Sequence, residues 1–168
     1  MARRSYTARF EHPAERVYSA LCSPEYWDAK MDEFRKLSPQ SDIDKLVIDE
    51  TGIDITLTQV LPRNELPAIA QTVLKNDMVI TREEFLGPFD PNRTKGTYTA
   101  AIPSGPGMLQ GWQELVALGD TCALERVTEV TVNIPLINGK LENMILENLD
   151  DLFVGEDEFT TLWLAEHC

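Results

Sequence analysis

The chain has 168 residues and a mass of 19.0 kDa, the size of one ordinary domain. Its 15 Lys and Arg against 28 Asp and Glu give a net charge of −13, which argues against a nucleic-acid partner or stable anchoring on an anionic membrane. No apolar run reaches the roughly 18–20 residues of a transmembrane helix, and no apolar core of a signal peptide follows the N-terminal arginines. We therefore expect a cytoplasmic protein, with its three cysteines as reduced thiols.

The predicted elements begin with a strand and two short helices. Residues 3–11 alternate between polar and apolar, which predicts a half-buried strand. Pro13 suits the first turn of a helix, and the apolar spacing continues that helix to residue 21. The pair Ser23-Pro24 then separates it from a second short helix that ends near Phe34.

Six further strands follow, and short turns containing Gly, Pro or Asp join most of them. Such turns predict an antiparallel sheet of seven strands. Residues 66–74 interrupt the series with a short amphipathic helix, and a long helix from about 135 or 139 to about 165 ends the chain. We find no internal repeat or linker, so residues 1–168 are predicted to form a single domain. The six predicted strands are 43–50, 53–61, 78–86, 94–102, 108–118 and 123–134.

This order of elements predicts a cavity. A curved antiparallel sheet leaves one apolar face uncovered, and only the terminal helix is long enough to cover it. Seven curved strands around one helix leave space at the wide end, where residues 66–74 would act as a mobile lid. The apolar stripe predicted to face the sheet consists of Leu141, Met144, Ile145, Leu149, Leu152, Phe159, Leu162 and Trp163.

Two stretches of the chain carry a resemblance to a known family. The first is Phe10-Glu-His-Pro-Ala-Glu-Arg-Val-Tyr-Ser-Ala-Leu-Cys-Ser-Pro-Glu-Tyr-Trp27, and the second is Ile134-Pro-Leu-Ile-Asn-Gly-Lys-Leu-Glu142. Together with the run of hairpins, they resemble the START-like (helix-grip, SRPBCC) superfamily of polyketide cyclases, lipid-transfer START domains and plant pathogenesis-related allergens. The second stretch looks like an uncharacterised bacterial branch. The resemblance implies an α+β helix-grip fold that binds a hydrophobic ligand, with cyclases and hydrolases as a minority.

Large apolar and aromatic side chains are the candidate ligand contacts, because they offer area and adaptable shape. The same residues could equally be ordinary core. Arg82, Glu84 and Gln113 lie within strands, where alternation leaves open whether they face the concave side. The candidate ligand-binding residues are Phe10, Trp27, Met31, Ile69, Val73, Tyr98, Trp112, Arg126, Met144, Leu152, Glu156 and Phe159.

Glu156 is the most informative single residue, because it falls within the apolar stripe of the terminal helix. An unpaired carboxylate there would be costly, so it must be paired or face a wet cavity. We expect an ion pair with Arg82 or Arg126 at the cavity edge. The alternatives are a contact to a ligand hydroxyl and a role as a general base.

Catalytic and metal-binding patterns are not found in the sequence. His12 and His167 are its two histidines, and it contains no His-x-x-x-His or Cys-x-x-Cys. We therefore predict no catalytic residues, no metal and no cofactor, and favour a carrier or sensor of a small lipid- or polyketide-like molecule. One alternative is a cyclase or aromatase with an acid–base group in the cavity. The other is an interaction module that presents the eight acids of residues 141–168 to a basic protein partner.

Overall fold

Seven strands form one antiparallel sheet in the computed structural model, which describes residues 1–102 and 105–167. The strand order is β1-β7-β6-β5-β4-β3-β2, so that β2 to β7 lie in chain order and β1 pairs with β7. Pro103 and Ser104, part of a predicted turn, and the thiol Cys168 lie outside the described residues. The strands are β1 (Ala2–Phe10), β2 (Asp42–Asp49), β3 (Gly52–Leu61), β4 (Met78–Leu86), β5 (Arg93–Ala101), β6 (Gly107–Ala117) and β7 (Cys122–Val132).

Four helices complete the fold: α1 (Ala14–Leu21), α2 (Pro24–Arg35), α3 (Ala68–Gln71) and α4 (Asn138–Glu166). Proline at the first position of α2 fixes the backbone dihedral that a helix start requires. α4 packs against β1, β7 and α2, and so covers the concave face of the sheet. The predicted helix-grip architecture is confirmed.

The strand register sets polar side chains among apolar ones on the concave face. Arg82 lies between Leu57 and Ala100 in one row across the strands. The next two rows are Ile55, Glu84, Tyr98, Gly111 and Thr128, then Ile53, Leu86, Gly96, Gln113 and Arg126. Arg82, Glu84, Gln113 and Arg126 therefore all face α4.

Apolar clusters surround these polar rows. One joins β1 and α1 through Phe10 and Val17, and a second joins α2 and β3 through Tyr26 and Ile55. A third lies at the start of α4 and contains Val130, Val132, Leu141 and Leu146. Among the described residues, no helix has the length and apolar character to cross a membrane.

The buried face of α4 differs from the predicted stripe by about one residue. Leu162 was expected to face the sheet but is 62% exposed. The true inward face carries polar residues, so apolar spacing alone gave the wrong orientation. The buried residues of α4 are Leu141, Glu142, Leu146, Phe153, Glu156, Thr160 and Leu164.

Replacing either of two glycines by alanine is expected to have opposite effects on the stability of the protein. A Cβ at Gly111 would overlap the buried Tyr98 ring, so we expect Gly111→Ala to destabilise the protein by about 1–3 kcal/mol. A Cβ at Gly155, inside α4, would meet no described atom within 4 Å apart from its chain neighbours and the backbone of its own helix. Since alanine is the better helix former, Gly155→Ala should stabilise by about 0.5–1 kcal/mol. Urea unfolding measures both, and shifts of the same sign would contradict this packing.

Candidate ligand-binding site

A cavity lies between the concave face of the sheet, α1, α2 and α4. The cavity has a volume of about 50 Å³. Its apolar wall is formed by Phe10, Val17, Leu21, Tyr26, Trp27, Ile53, Ile55, Leu86 and Leu124. Its polar wall is formed by Lys30, Glu84, Gln113, Arg126, Glu156, Asp157 and Thr160.

Arg82 holds two carboxylates beside the cavity. Its Nη1 and Nη2 donate to the two oxygens of Glu156 at 2.7 and 3.1 Å. Its Nε and Nη2 also donate to Oε1 of Glu84 at 3.0 and 2.6 Å. The expected pairing of Glu156 with an arginine is confirmed, and Arg82 is that arginine.

The ion pair keeps Glu156 ionised. Burial by itself would raise the pKa of this carboxyl, but the charges of Arg82 and Lys30 outweigh burial and lower the pKa to about 2. Glu156 is therefore a carboxylate at neutral pH with both oxygens already bonded. It is poorly suited to act as a general base.

Arg126 forms the second buried ion pair, with Asp157. Their N–O distances are 3.2 and 3.3 Å, and the guanidinium carbon lies 4.4 Å from the centre of the Phe153 ring. Burial raises the pKa of Asp157, although Arg126 opposes this. Burial and the charge of Asp157 also raise the pKa of Tyr6 to about 12.

Lys30 is the third cation at the cavity. Its ammonium lies 5.0 Å from the centre of the Trp27 ring, 5.7 Å from that of Tyr26 and 3.9 Å from Oε1 of Glu156. Burial acts to lower the pKa of Lys30, but Glu156 and other negative neighbours raise it overall. Lys30 is therefore protonated at neutral pH.

Side-chain hydrogen bonds fix the aromatic part of the wall. The Thr160 hydroxyl donates to the carbonyl of Glu156 at 2.9 Å. The Tyr26 hydroxyl must then be the donor in its 2.7 Å bond to Thr160 Oγ1. Trp27 Nε1 donates to the carbonyl of Leu21 at 2.8 Å. These bonds hold α2 against α4 and α1.

Two polar groups at the cavity keep hydrogen-bonding capacity unused. In the described part of the chain, the Gln113 amide and Oε2 of Glu84 have no hydrogen-bond partner. The same residues include no group of three His, Cys, Asp or Glu side chains placed to hold a metal. An apolar wall facing a few convergent polar groups is the common form of a small-molecule site.

A family model described as "Protein of unknown function (DUF2505)" matches residues 5–164. The chain belongs to the DUF2505 family. It is 26% identical over 173 residues to the uncharacterized protein Rv0481c of Mycobacterium tuberculosis, with 96% of this chain and 95% of the relative covered. The uncharacterized protein Mb0491c of Mycobacterium bovis matches to the same extent.

Solved structures show the same START-like fold as this DUF2505 chain. TTHA0849 from Thermus thermophilus has a TM-score of 0.58 at 16% identity, with 95% of this chain and 97% of that one covered. Norcoclaurine synthase from Thalictrum flavum has a TM-score of 0.55 at 14% identity, covering 99% and 87%. A START superfamily protein from Mycobacterium smegmatis has a TM-score of 0.50 at 12% identity, covering 99% of each chain. At these identities the likeness shows the fold.

The structure brings four of the twelve candidate residues to the cavity of the DUF2505 chain, namely Phe10, Trp27, Arg126 and Glu156. Three more lie close to it without lining it. Met31 and Phe159 pack in the cluster around Tyr26. Tyr98 is buried on the concave face, where its hydroxyl bonds to Thr128.

The other five candidates lie elsewhere. Trp112 is 44% exposed on the convex face, because its neighbour Gln113 occupies the concave one. Leu152 is only partly buried, since Phe153 takes the inward position on α4. Ile69, Val73 and Met144 pack against the cluster at the start of α4.

The segment predicted as a lid, residues 66–74, also lies away from the cavity. Helix α3 spans only Ala68–Gln71, and Arg63 donates to the carbonyls of Gln71 and Leu74 at 2.7 Å. Ile69 and Val73 face the start of α4 and not the cavity. The expectation that residues 66–74 cover this cavity is wrong in position, and their mobility stays a prediction.

The sequence reasoning missed several residues at the cavity, including Lys30, Asp157 and Thr160. A signal existed for Lys30, which follows Tyr26 by four residues and Trp27 by three on α2. That spacing puts all three on one helix face. Thr160 follows Glu156 by the same four residues on α4.

The acids near the end of the chain do not form one exposed surface. Glu142 and Glu156 are buried, Asp157 pairs with Arg126, and Asp150 accepts a hydrogen bond from Arg4 at 2.7 Å. The remaining four are exposed, namely Glu147, Asp151, Glu158 and Glu166. Half of the acids counted for a basic partner are thus involved in the fold, and binding to such a partner stays a prediction.

Proposed function

We propose that this DUF2505 chain is a binding protein for a small amphipathic molecule, held without chemical change between sheet and α4. The observation that carries this proposal is the division of the cavity wall. Apolar side chains such as Ile53 and Leu124 line one part, and polar groups with unused hydrogen-bonding capacity, such as Gln113, line the other. A ligand with an apolar body and one polar group fits both parts.

The size of the cavity implies that the protein opens to admit its ligand. About 50 Å³ holds only a few water molecules, whereas sites for drug-sized ligands span roughly 300–1,000 Å³. The helices α1 and α2 form one side of the cavity beside α4, so their displacement would enlarge the space. The ligand would then stabilise an opened form that is less populated without it.

Two glutamines on β6 provide a matched test, because they lie on opposite faces of the sheet. Gln113 lines the cavity, whereas Gln110 is exposed and donates to Glu129 at 3.3 Å. We expect Gln113→Leu to weaken binding of 1-octanol about 3- to 10-fold, the value of one neutral hydrogen bond. Gln110→Leu should leave the affinity unchanged. Calorimetric titration measures both.

Mass spectrometry under native conditions provides the first control. A small molecule retained by the purified protein would support the proposal and give its mass. The proposal fails if the wild-type protein neither retains a small molecule nor binds any eight-carbon amphiphile in the titration. It also fails if Gln110→Leu weakens binding as much as Gln113→Leu, since the site would then lie outside the cavity.

An enzyme of the cyclase type is the second candidate, and Asp157 is the observation that favours it. Asp157 lines the cavity and has a raised pKa, the property expected of a general base. Its pairing with Arg126 weakens this case, because the arginine holds the carboxylate in place and lowers its basicity. Conversion of a retained molecule on incubation with the protein, lost in Asp157→Asn, would favour the enzyme.

A further inference from the structure

Lys30 presents its ammonium group to the cavity, and the described residues provide no hydrogen bond to it. Its side chain is 8% exposed and lines the cavity. Across residues 1–102 and 105–167, Nζ donates no hydrogen bond, and the nearest carboxylate oxygen is Oε1 of Glu156 at 3.9 Å. An ammonium has three donors, and these donors are available to whatever occupies the cavity.

The surrounding groups explain why these donors are free. Both oxygens of Glu156 already accept from Arg82, at 2.7 and 3.1 Å. The rings of Trp27 and Tyr26 attract the positive charge but provide no acceptor oxygen. The negative neighbours also raise the pKa of Lys30, so the group remains a cation and a donor rather than a nucleophile.

The charges around the cavity are already balanced. Three cations, Lys30, Arg82 and Arg126, face three carboxylates. A ligand carboxylate would add an unbalanced negative charge beside these carboxylates, and a ligand ammonium would add a positive one beside Lys30. Either is costly where water is scarce. The carboxylates are those of Glu84, Glu156 and Asp157.

We infer that Lys30 binds the polar group of the ligand, and that this group is an uncharged acceptor oxygen, either a carbonyl or a hydroxyl. This inference rests on the proposed function, because it assumes that a ligand enters the cavity. It adds the chemical class of the polar group and the residue that recognises it. The ammonium then gains the hydrogen bond that the protein does not provide.

Four compounds with the same eight-carbon chain test the class of polar group. We expect the wild-type protein to bind 2-octanone and 1-octanol at least about tenfold more tightly than octanoate and octylamine at neutral pH. Calorimetric titration gives the four affinities. Octanoate or octylamine binding as tightly as 2-octanone would overturn the inference. Binding of none of the four would overturn the inference, and it would contradict the proposed function as well if the purified protein also retains no small molecule.

A charge-balanced variant tests the role of Lys30. Lys30→Met alone would leave one excess negative charge at the cavity, so it is combined with Glu84→Gln, and Glu84→Gln alone is the reference. We expect the double variant to bind 2-octanone about 10- to 100-fold more weakly than the reference, since hydrogen bonds from charged donors are strong. Equal affinities in a folded double variant would overturn the inference.

Infrared spectroscopy gives a second measurement that does not depend on the folding of that variant. A hydrogen bond from an ammonium lowers the carbonyl stretching frequency of ¹³C-labelled 2-octanone bound to the wild-type protein. We expect a frequency below that of the ketone in hexane, and the same shift in Gln110→Leu, because Gln110 lies on the opposite face of the sheet. A band at the hexane position, with the ketone bound, would overturn the inference while leaving the proposed function intact.

Discussion

Glu156→Gln is expected to lower the free energy of unfolding by about 3–5 kcal/mol at neutral pH. Removing one partner of a buried ion pair leaves the other charge without compensation, and effects of this size are usual. The substitution keeps the shape of the side chain but removes the negative charge shared by Arg82 and Lys30. Urea unfolding at neutral pH measures the loss.

The pH dependence of this loss has a defined sign. The pKa of Glu156 is lowered from 4.5 to about 2 in the folded protein, so its stabilising contribution is complete above pH 4.5. The contribution, about 3 kcal/mol from the size of the shift, is lost as the pH falls towards 2. The raised pKa of Asp157 has the opposite sign. Burial, its largest cause, acts in both proteins, and the charge of Glu156 is a smaller cause that the substitution removes. The difference in the free energy of unfolding between wild type and Glu156→Gln should therefore become smaller as the pH falls from 4.5 towards 2.

Glu158→Gln provides the matched control, since Glu158 is exposed two residues further along α4. Its effect should stay within about 0.5 kcal/mol at every pH, as for most surface substitutions. A difference in the free energy of unfolding between wild type and Glu156→Gln that remains constant from pH 5 to pH 2 would contradict the assigned ionisation of Glu156. Equal effects of the two substitutions at neutral pH would contradict the buried ion pair.

The strands could be predicted because their pattern is local. In β1, Ala8 and Phe10 are buried while Thr7 and Arg9 are exposed, and this alternation is visible in the sequence. Turn residues such as Gly52, which has a φ of 131°, mark where one strand ends and the next begins. Both signals depend on a few adjacent residues, so the order of elements and the architecture followed from them.

The site depends on register and rotation, which local patterns define poorly. Trp112 and Gln113 are neighbours on β6, and a shift of one residue exchanges which of them faces the cavity. Arg82 and Glu156 are separated by 74 positions, and both were recognisable as groups that need a partner. Only the assembled sheet and helix show that they meet.

The orientation of α4 about its axis buries Phe153, and substitution of this residue gives the second large expected loss of stability. This ring is 3% exposed, and its centre lies 5.5 Å from that of Tyr6 and 6.3 Å from that of Tyr98. It also packs 4.4 Å from the guanidinium of Arg126. Phe153→Ala should therefore lower the free energy of unfolding by about 3–5 kcal/mol, through lost contacts and the space left behind.

Leu152→Ala is the matched control, because the stripe predicted from the sequence assigned the inward position to Leu152. This side chain is only partly buried, so we expect a loss of about 1–2 kcal/mol, smaller than that at Phe153. Urea unfolding of both variants compares the two positions directly. A larger loss at Leu152 than at Phe153 would mean that α4 presents the other face to the sheet. The ion pair between Arg126 and Asp157 would then lose its place beside the cavity.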